Sequence, residues 1–268
     1  MAKFEAEQEE HNMTKKVAII IPTLNERKNI LEIIQALRSV VLDIKIIIAD
    51  SSADGTDELV RQTYLGDKKV VVLKCGRLGR GGAVKKGYEW VRKHSQAELI
   101  AVADADGSHN PKELPRLLVR SEEAGLVIGS RYVVGSRIVG WPWYRQVFSR
   151  AANLSASLIL RAGIKDYTNG YRVFHRTLID QFNLDSLNAD GYIMLSQELY
   201  QVQLLGGRVA EVPTTFVNRQ RGKSNFHLGL IVESGIIMAR LWKEMQKTRR
   251  RLAQVTQDQN GQENILLR

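Results

Sequence analysis

The chain has 268 residues, with 39 Lys or Arg against 29 Asp or Glu, for a net charge of +10. That length suits one large α/β domain or two small ones, and the basic excess points to an anionic partner: a phosphorylated substrate, an acidic membrane surface or nucleic acid. Cys75 is the only cysteine, which excludes an internal disulfide framework and fits a reducing compartment. The N-terminal residues 1–15 are acidic, read as flexible, and lack the apolar centre of a signal peptide. No window reaches the roughly 20 apolar residues of a membrane-spanning helix. Aromatic residues do not alternate with the bases as a single-strand stacking platform needs, so no nucleic-acid partner is expected.

Taken in order, the pattern alternates strand and helix. Residues 16–22 form an apolar strand, followed by a helical pattern over 26–40. Residues 44–49 predict a second strand, and a helix follows the Asp54-Gly55-Thr56 turn. A third strand over 69–74 leads into the Gly-rich stretch 76–82, read as a flexible loop beside the site, and then a helix to Arg92. Residues 98–103 are the fourth strand and 125–129 a short fifth. Apolar runs separated by helices indicate an α/β fold whose mostly parallel sheet carries helices on both faces. Beyond residue 130 the regularity fades into helical stretches over 143–161 and 192–205 and a strand pair over 208–217.

The fourth strand ends at Asp104-Ala105-Asp106. Two alternating carboxylates at a sheet's C-terminal edge stand where open α/β sheets bind ligands. They repel one another unless a cation lies between them, and their hard oxygens suit Mg²⁺ or Mn²⁺ shared with substrate phosphates. The five histidines show no metal-ligand spacing, and His109, just past this turn, reads as structural.

Further motifs fall at the other strand ends. Pro22-Thr23-Leu24-Asn25-Glu26, then Asp50-Ser51-Ser52-Ala53-Asp54-Gly55-Thr56, Asp104-Ala105-Asp106 and Gly129-Ser130-Arg131-Tyr132 form a series that resembles the inverting family-two glycosyltransferases of the GT-A fold. Downstream, Trp141-Pro142-Trp143-Tyr144-Arg145, Ser149-Arg150-Ala151-Ala152-Asn153 and Asn169-Gly170-Tyr171-Arg172 resemble the polyprenol-phosphate sugar transferases, the dolichol-phosphate mannosyltransferases above all. So do Glu211-Val212-Pro213 and Arg219-Gln220-Arg221-Gly222-Lys223-Ser224. The resemblance covers about residues 16–226, which it marks as the catalytic domain.

The resemblance implies transfer of a sugar, mannose first, from a nucleotide-sugar such as GDP-mannose to a polyprenyl or dolichyl phosphate. Pro22, Glu26 and Asp50 then line the nucleoside pocket, and Asp104 and Asp106 hold the metal and diphosphate, Asp106 more directly. Arg131, Arg145 and Ser149 bind the lipid phosphate, with Asp106, Arg131 and Arg145 as the catalytic set, while Arg219 and Lys223 lie near the donor diphosphate. Glu198 matches a recurrent acidic position and is read as orienting a basic neighbour. The series departs from many relatives at two positions: Ala49 replaces an aspartate before Asp50, and Ser108 stands where mannosyltransferases often carry Gln, so a shorter hydroxyl joins the metal set.

Other readings stay open. They are a polyprenyl-phosphate glucosyltransferase using UDP-glucose, a family-two enzyme with a soluble acceptor, and, from another class, a nucleotide- or nucleic-acid-binding module. A sugar-nucleotide pyrophosphorylase should carry a Gly-rich loop after its first strand, where Pro22 to Glu26 stands instead. Leu230, Ile231, Ile237, Met238, Leu241, Trp242 and Met245 follow at helical spacing before a basic run, so residues 227–251 read as an amphipathic helix for an anionic membrane or a partner. Residues 252–268 read as a polar disordered tail. The expected setting is the cytosolic face of a membrane, reached peripherally or through a small anchoring subunit.

Overall fold

Isoleucine and valine dominate β1 (Val17–Thr23) and β2 (Ile44–Asp50), and both strands are buried along almost their whole length. β-Branched side chains suit a pleated surface covered on both faces. Alternation then divides β1. Val17, Ile19 and Ile21 join a core with Ile30, Ile34 and Leu37 of α1 (Ile30–Val40) and Leu114 and Leu117 of α4 (Leu114–Arg120). Ile20 faces the opposite layer, where α3 (Gly79–His94) approaches so closely that a Cβ on Gly87 would lie 2.5 Å from Ile20 Cγ2. Helices therefore cover both faces of the sheet.

The structure is a computed structural model describing residues 15–189, 191, 193–218, 239, 242, 243, 246 and 247. The remaining elements are α2 (Thr56–Thr63), β3 (Val70–Lys74), β4 (Leu99–Val102), β5 (Leu126–Ser130), β6 (Arg137–Val139), α5 (Trp143–Leu160), β7 (Arg172–His175), α6 (Arg176–Gln181), α7 (Ile193–Leu204), β8 (Val209–Pro213) and β9 (Thr215–Val217). A seven-stranded sheet runs β3-β2-β1-β4-β7-β5-β8, and β6 pairs with β9 apart from it. Among the described strands of this sheet, only β7 runs antiparallel to its neighbours. The chain winds outward from β1 through β2 to β3 and then returns to place β4 on β1's other side. The β1/β4 junction is thus a topological switch point, where C-terminal strand ends open a crevice.

Three sequence expectations shift. The first helix starts at Ile30 rather than Glu26, because Asn25 takes a left-handed backbone (φ 58°) and the Glu26 carbonyl closes a turn onto Asn29 and Ile30. The Gly-rich stretch is not all loop. α3 begins at Gly79, and Gly81 packs under the Ala189 carbonyl, which a Cβ would approach to 2.2 Å. The strand pair over 208–217 parts at Thr214, with β8 joining β5 and β9 joining β6.

By its contacts the chain divides into one unit, Met1–Asn225, and another, Phe226–Arg268. In the second, Ala239, Trp242, Lys243, Gln246 and Lys247 are helical. The rest of the anticipated amphipathic stripe and basic run lies outside the described residues, as do Arg219 and Lys223. No described helix is long and apolar enough to cross a membrane.

Candidate active site

Pairing of β1 with β2 sets Pro22 opposite Ala49 and Thr23 opposite Asp50. Asp50 points inward. Its carboxylate accepts from Thr23 Oγ1 at 2.5 Å and from the Ser52 amide and hydroxyl at 3.1 and 2.6 Å, so it braces the loop after β2. Glu26 is nearly buried. Its carboxylate accepts from Asn29 Nδ2 at 2.7 Å and its amide donates to Thr56 Oγ1 at 3.2 Å. Gly55 supplies the left-handed residue (φ +78°) that precedes α2, the turn role expected of it.

The acidic turn lies across the switch point. The Ala103 amide donates to the Ile20 carbonyl, continuing the β1/β4 register to the edge. Asp106 Oδ1 accepts from the Ser108 amide at 3.0 Å, closing a tight turn over Gly107. The Asp104 amide donates to His109 Nδ1 at 3.0 Å, which leaves the imidazole proton on Nε2 facing Asn169 Oδ1 at 2.9 Å. Burial pushes the His109 imidazole below its ordinary value, against the pull of Asp104 and Asp106. Stacked on Tyr171 at 4.9 Å, His109 is a brace and not a ligand. The Val217 amide donates to the Ser108 carbonyl at 3.4 Å, tying the turn to β9.

These ties place Asp106 and Gly107 in a cleft of about 170 Å³ with Asn29, Glu32, Ile33, Val217 and Asn218. The donor set for a divalent cation fits here. Two carboxylates stand at the edge, and Ser108, whose amide donates to Asp106, carries a buried Oγ with no hydrogen-bond partner among the described residues. No cluster of three His, Cys, Asp or Glu appears among those residues. The set therefore suits an ion completed by substrate oxygens and water rather than an all-protein cage. Sequence reasoning missed one neighbour, Arg80, whose guanidinium meets Asp104 Oδ1 at 2.8 Å through Nη2 and 2.9 Å through Nε. Its signal lay hidden among the glycines.

On the other side of the cleft, the two arginines anticipated at the acceptor phosphate share one indole. Arg145 lies 4.3 Å and Arg131 5.4 Å from the Trp141 ring centroid. Their surroundings differ. Arg131 is buried and held by Asp166 through Nε at 2.8 Å and Nη2 at 2.7 Å, with Thr168 Oγ1 at 2.7 Å. Burial alone would raise the Asp166 carboxyl, but the Arg131 guanidinium and the amides of Arg131 and Thr168 outweigh it and hold the group below its ordinary value. Arg145, partly exposed on α5, donates to Asn218 Oδ1 at 2.8 Å. Ser149, a turn further on, accepts from Tyr132 Oη at 2.7 Å. Asn218 belongs both to the cleft containing Asp106 and to the seat of Arg145. Asp166 and Asn218 were likewise absent from the sequence reading.

Glu198 orients Arg172. The two form a fully buried pair at 3.1 Å, and Tyr88 Oη donates to the same carboxylate at 2.9 Å. Burial pushes the Glu198 carboxyl up while Arg172 and Tyr88 pull it down. Arg172 also donates to the carbonyls of Tyr167 and Asn169, fixing the segment that carries the His109 contact.

Residues 18–182 match the glycosyl transferase family 2. The chain belongs to that family. It is 36% identical over 215 residues to the polyprenol monophosphomannose synthase of Mycolicibacterium smegmatis, covering 79% of this chain and 81% of that one. It is 35% identical over 227 residues to the undecaprenyl-phosphate mannosyltransferase of Micrococcus luteus, covering 84% and 93%. Among solved structures it resembles glucosyl-3-phosphoglycerate synthase from Mycobacterium tuberculosis, crystallised with Mn²⁺, UDP and glucosyl-3-phosphoglycerate, at 21% identity and a TM-score of 0.61 over 89% of this chain and 82% of that one. At that identity the likeness is one of fold. The protein is a glycosyltransferase with a GT-A fold, as the ordered motifs imply.

Proposed function

We propose that the enzyme transfers mannose from GDP-mannose to the phosphate of a membrane polyprenol, inverting the anomeric centre. The observation that carries this reading is Asn218, which lines the Asp106 cleft and seats Arg145, so a donor diphosphate and an anionic acceptor meet across one residue. The names of the relatives from M. smegmatis and M. luteus, both mannosyl and both polyprenyl, support the choice of sugar and lipid.

Asp104 and Asp106, together with the Ser108 hydroxyl, would hold Mg²⁺ or Mn²⁺, which supplies positive charge to the departing diphosphate. Pro22, Glu26 and the loop braced by Asp50 form the nucleoside side, and Arg219 and Lys223 are assigned to the diphosphate by resemblance. Arg145 and the Ser149 hydroxyl receive the acceptor phosphate. Arg131 forms the fixed wall behind Trp141, its guanidinium held in place by Asp166. A phosphate monoester is mostly ionised at neutral pH, with a second pKa of about 6. The nucleophile therefore needs no general base, and Glu198, paired in the interior, supplies none.

The lipid end has its own support in α5, where Trp143, Tyr144, Val147, Phe148, Leu154 and Leu158 are exposed and Arg150 stands among them. An apolar stripe with aromatic and cationic residues suits the surface of an anionic bilayer. The enzyme thus works peripherally at the cytosolic face, α5 adding to whatever the 227–251 segment contributes. A panel of sugar nucleotides, each with and without a short polyprenyl phosphate, tests the reading. Release of nucleoside diphosphate should depend on the lipid phosphate and be fastest with GDP-mannose. A preference for UDP-glucose would replace the sugar, and release independent of lipid would replace the acceptor.

A further inference from the structure

Arg80 sits in the first turn of α3, and its helix cannot easily shift. Gly81 lies under the Ala189 carbonyl and Gly87 against Ile20, at separations where a single added Cβ would clash. From that fixed base the side chain reaches across the mouth of the acidic turn, its Nη2 so close to Gly170 that a Cβ there would lie 2.3 Å away. Both Nε and Nη2 converge on one oxygen, Asp104 Oδ1, at 2.9 and 2.8 Å.

We propose that Arg80 is a positioning residue that competes with the divalent cation for Asp104, making metal binding conditional on the donor diphosphate. The inference rests on Asp104 and Asp106 being the metal carboxylates. Two carboxylates carry −2, and the guanidinium reduces the pair to −1 while orienting Asp104. A dication entering alone meets half the negative charge and must share or displace a charge-assisted contact. A nucleoside diphosphate brings oxygens and negative charge of its own, which restore the attraction and give Arg80 a second anion to face. Metal and donor then bind as a linked pair, each raising the other's affinity by the same factor.

Mn²⁺ binding to the full chain, read from the electron paramagnetic resonance signal of the free ion with and without GDP or UDP, tests this directly. The intact protein should bind Mn²⁺ weakly alone and much more tightly with the nucleotide. Arg80→Leu should tighten binding of Mn²⁺ alone by about tenfold and shrink the nucleotide's effect by a similar factor, given the typical strength of a partly exposed charge-assisted contact. Arg80→Gln, neutral but still polar, should behave likewise if the leucine variant does not fold. Arg80→Lys keeps the charge and should stay within about threefold of the intact protein. Folded neutral variants whose affinity for Mn²⁺ alone is unchanged or weaker overturn the role of Arg80 and leave the metal site standing. An intact protein that binds no Mn²⁺ with either nucleotide overturns the metal site itself, and the proposal with it.

Discussion

On the side proposed for the donor, Asp50 and the acidic turn stand at the ends of β1, β2 and β4, whose side chains are almost wholly shielded from water. On the side proposed for the acceptor, Arg145 and Ser149 ride on α5, which leaves Trp143 76% and Leu158 65% exposed. The difference fits what each end would handle in the proposed reaction. A water-soluble nucleotide requires donors held still, and strands pinned by register supply them. In the proposed reaction a lipid phosphate arrives on a membrane, and the helix that would receive it keeps Trp143 and Leu158 exposed. Arg131 and Arg145 show the contrast around one indole: the first is locked by Asp166 and the second is seated by Asn218 at the cleft.

The largest effect should come from the donor edge. Asp106→Ala removes the carboxylate at the cleft, and transfer should fall by at least about a hundredfold while the circular dichroism spectrum is kept. Near-normal transfer, or full activity in excess chelator, would remove the metal from the mechanism. Next is the buried pair. Asp166→Ala strands Arg131 without its partner and should destabilise the fold by about 3–5 kcal/mol in urea unfolding at pH 7. Because the folded Asp166 carboxyl lies below its ordinary value of 3.8, its contribution is complete above that pH and lost as pH falls below it. Asp166→Asn should accordingly flatten the acid side of the stability profile, and an unchanged slope would place that dependence elsewhere.

A smaller and more selective effect separates the two arginines. Arg145→Ala should raise the acceptor KM about tenfold to a hundredfold and leave nucleotide affinity and stability near those of the intact protein. Arg131→Ala should instead lower stability as well as acceptor use. Equal outcomes for the two variants would erase the distinction between fixed wall and working arm. Smallest of all, Trp143→Ser should reduce co-sedimentation with anionic vesicles severalfold while sparing transfer to a water-soluble short-chain acceptor. Unchanged vesicle binding would remove α5 from the membrane surface.

The parallel core was legible because β1, β2 and β4 announce themselves as unbroken apolar runs, and the acidic turn because it ends one of them. β7 was not. Its Arg172-Val-Phe-His175 segment carries an arginine whose burial depends on Glu198 and on backbone carbonyls distant in sequence, such as that of Leu195. Arg80 and Asp166 escaped for a related reason: each acts through a residue far away in sequence, Asp104 and Arg131, and nothing local records the pairing. α3 beginning inside the Gly-rich stretch reflects close packing, with Gly81 and Gly87 allowing contacts that helix propensity alone would oppose.

The claim that joins both halves is that an already ionised phosphate is the nucleophile. Its most direct test compares radiolabelled mannose transfer from GDP-mannose to a polyprenyl phosphate and to the same polyprenol lacking the phosphate, with Mn²⁺ present. The account predicts a mannosyl-phosphoryl lipid of inverted configuration from the first and no product from the second. Comparable transfer to the free alcohol, or none to the phosphate, would contradict it.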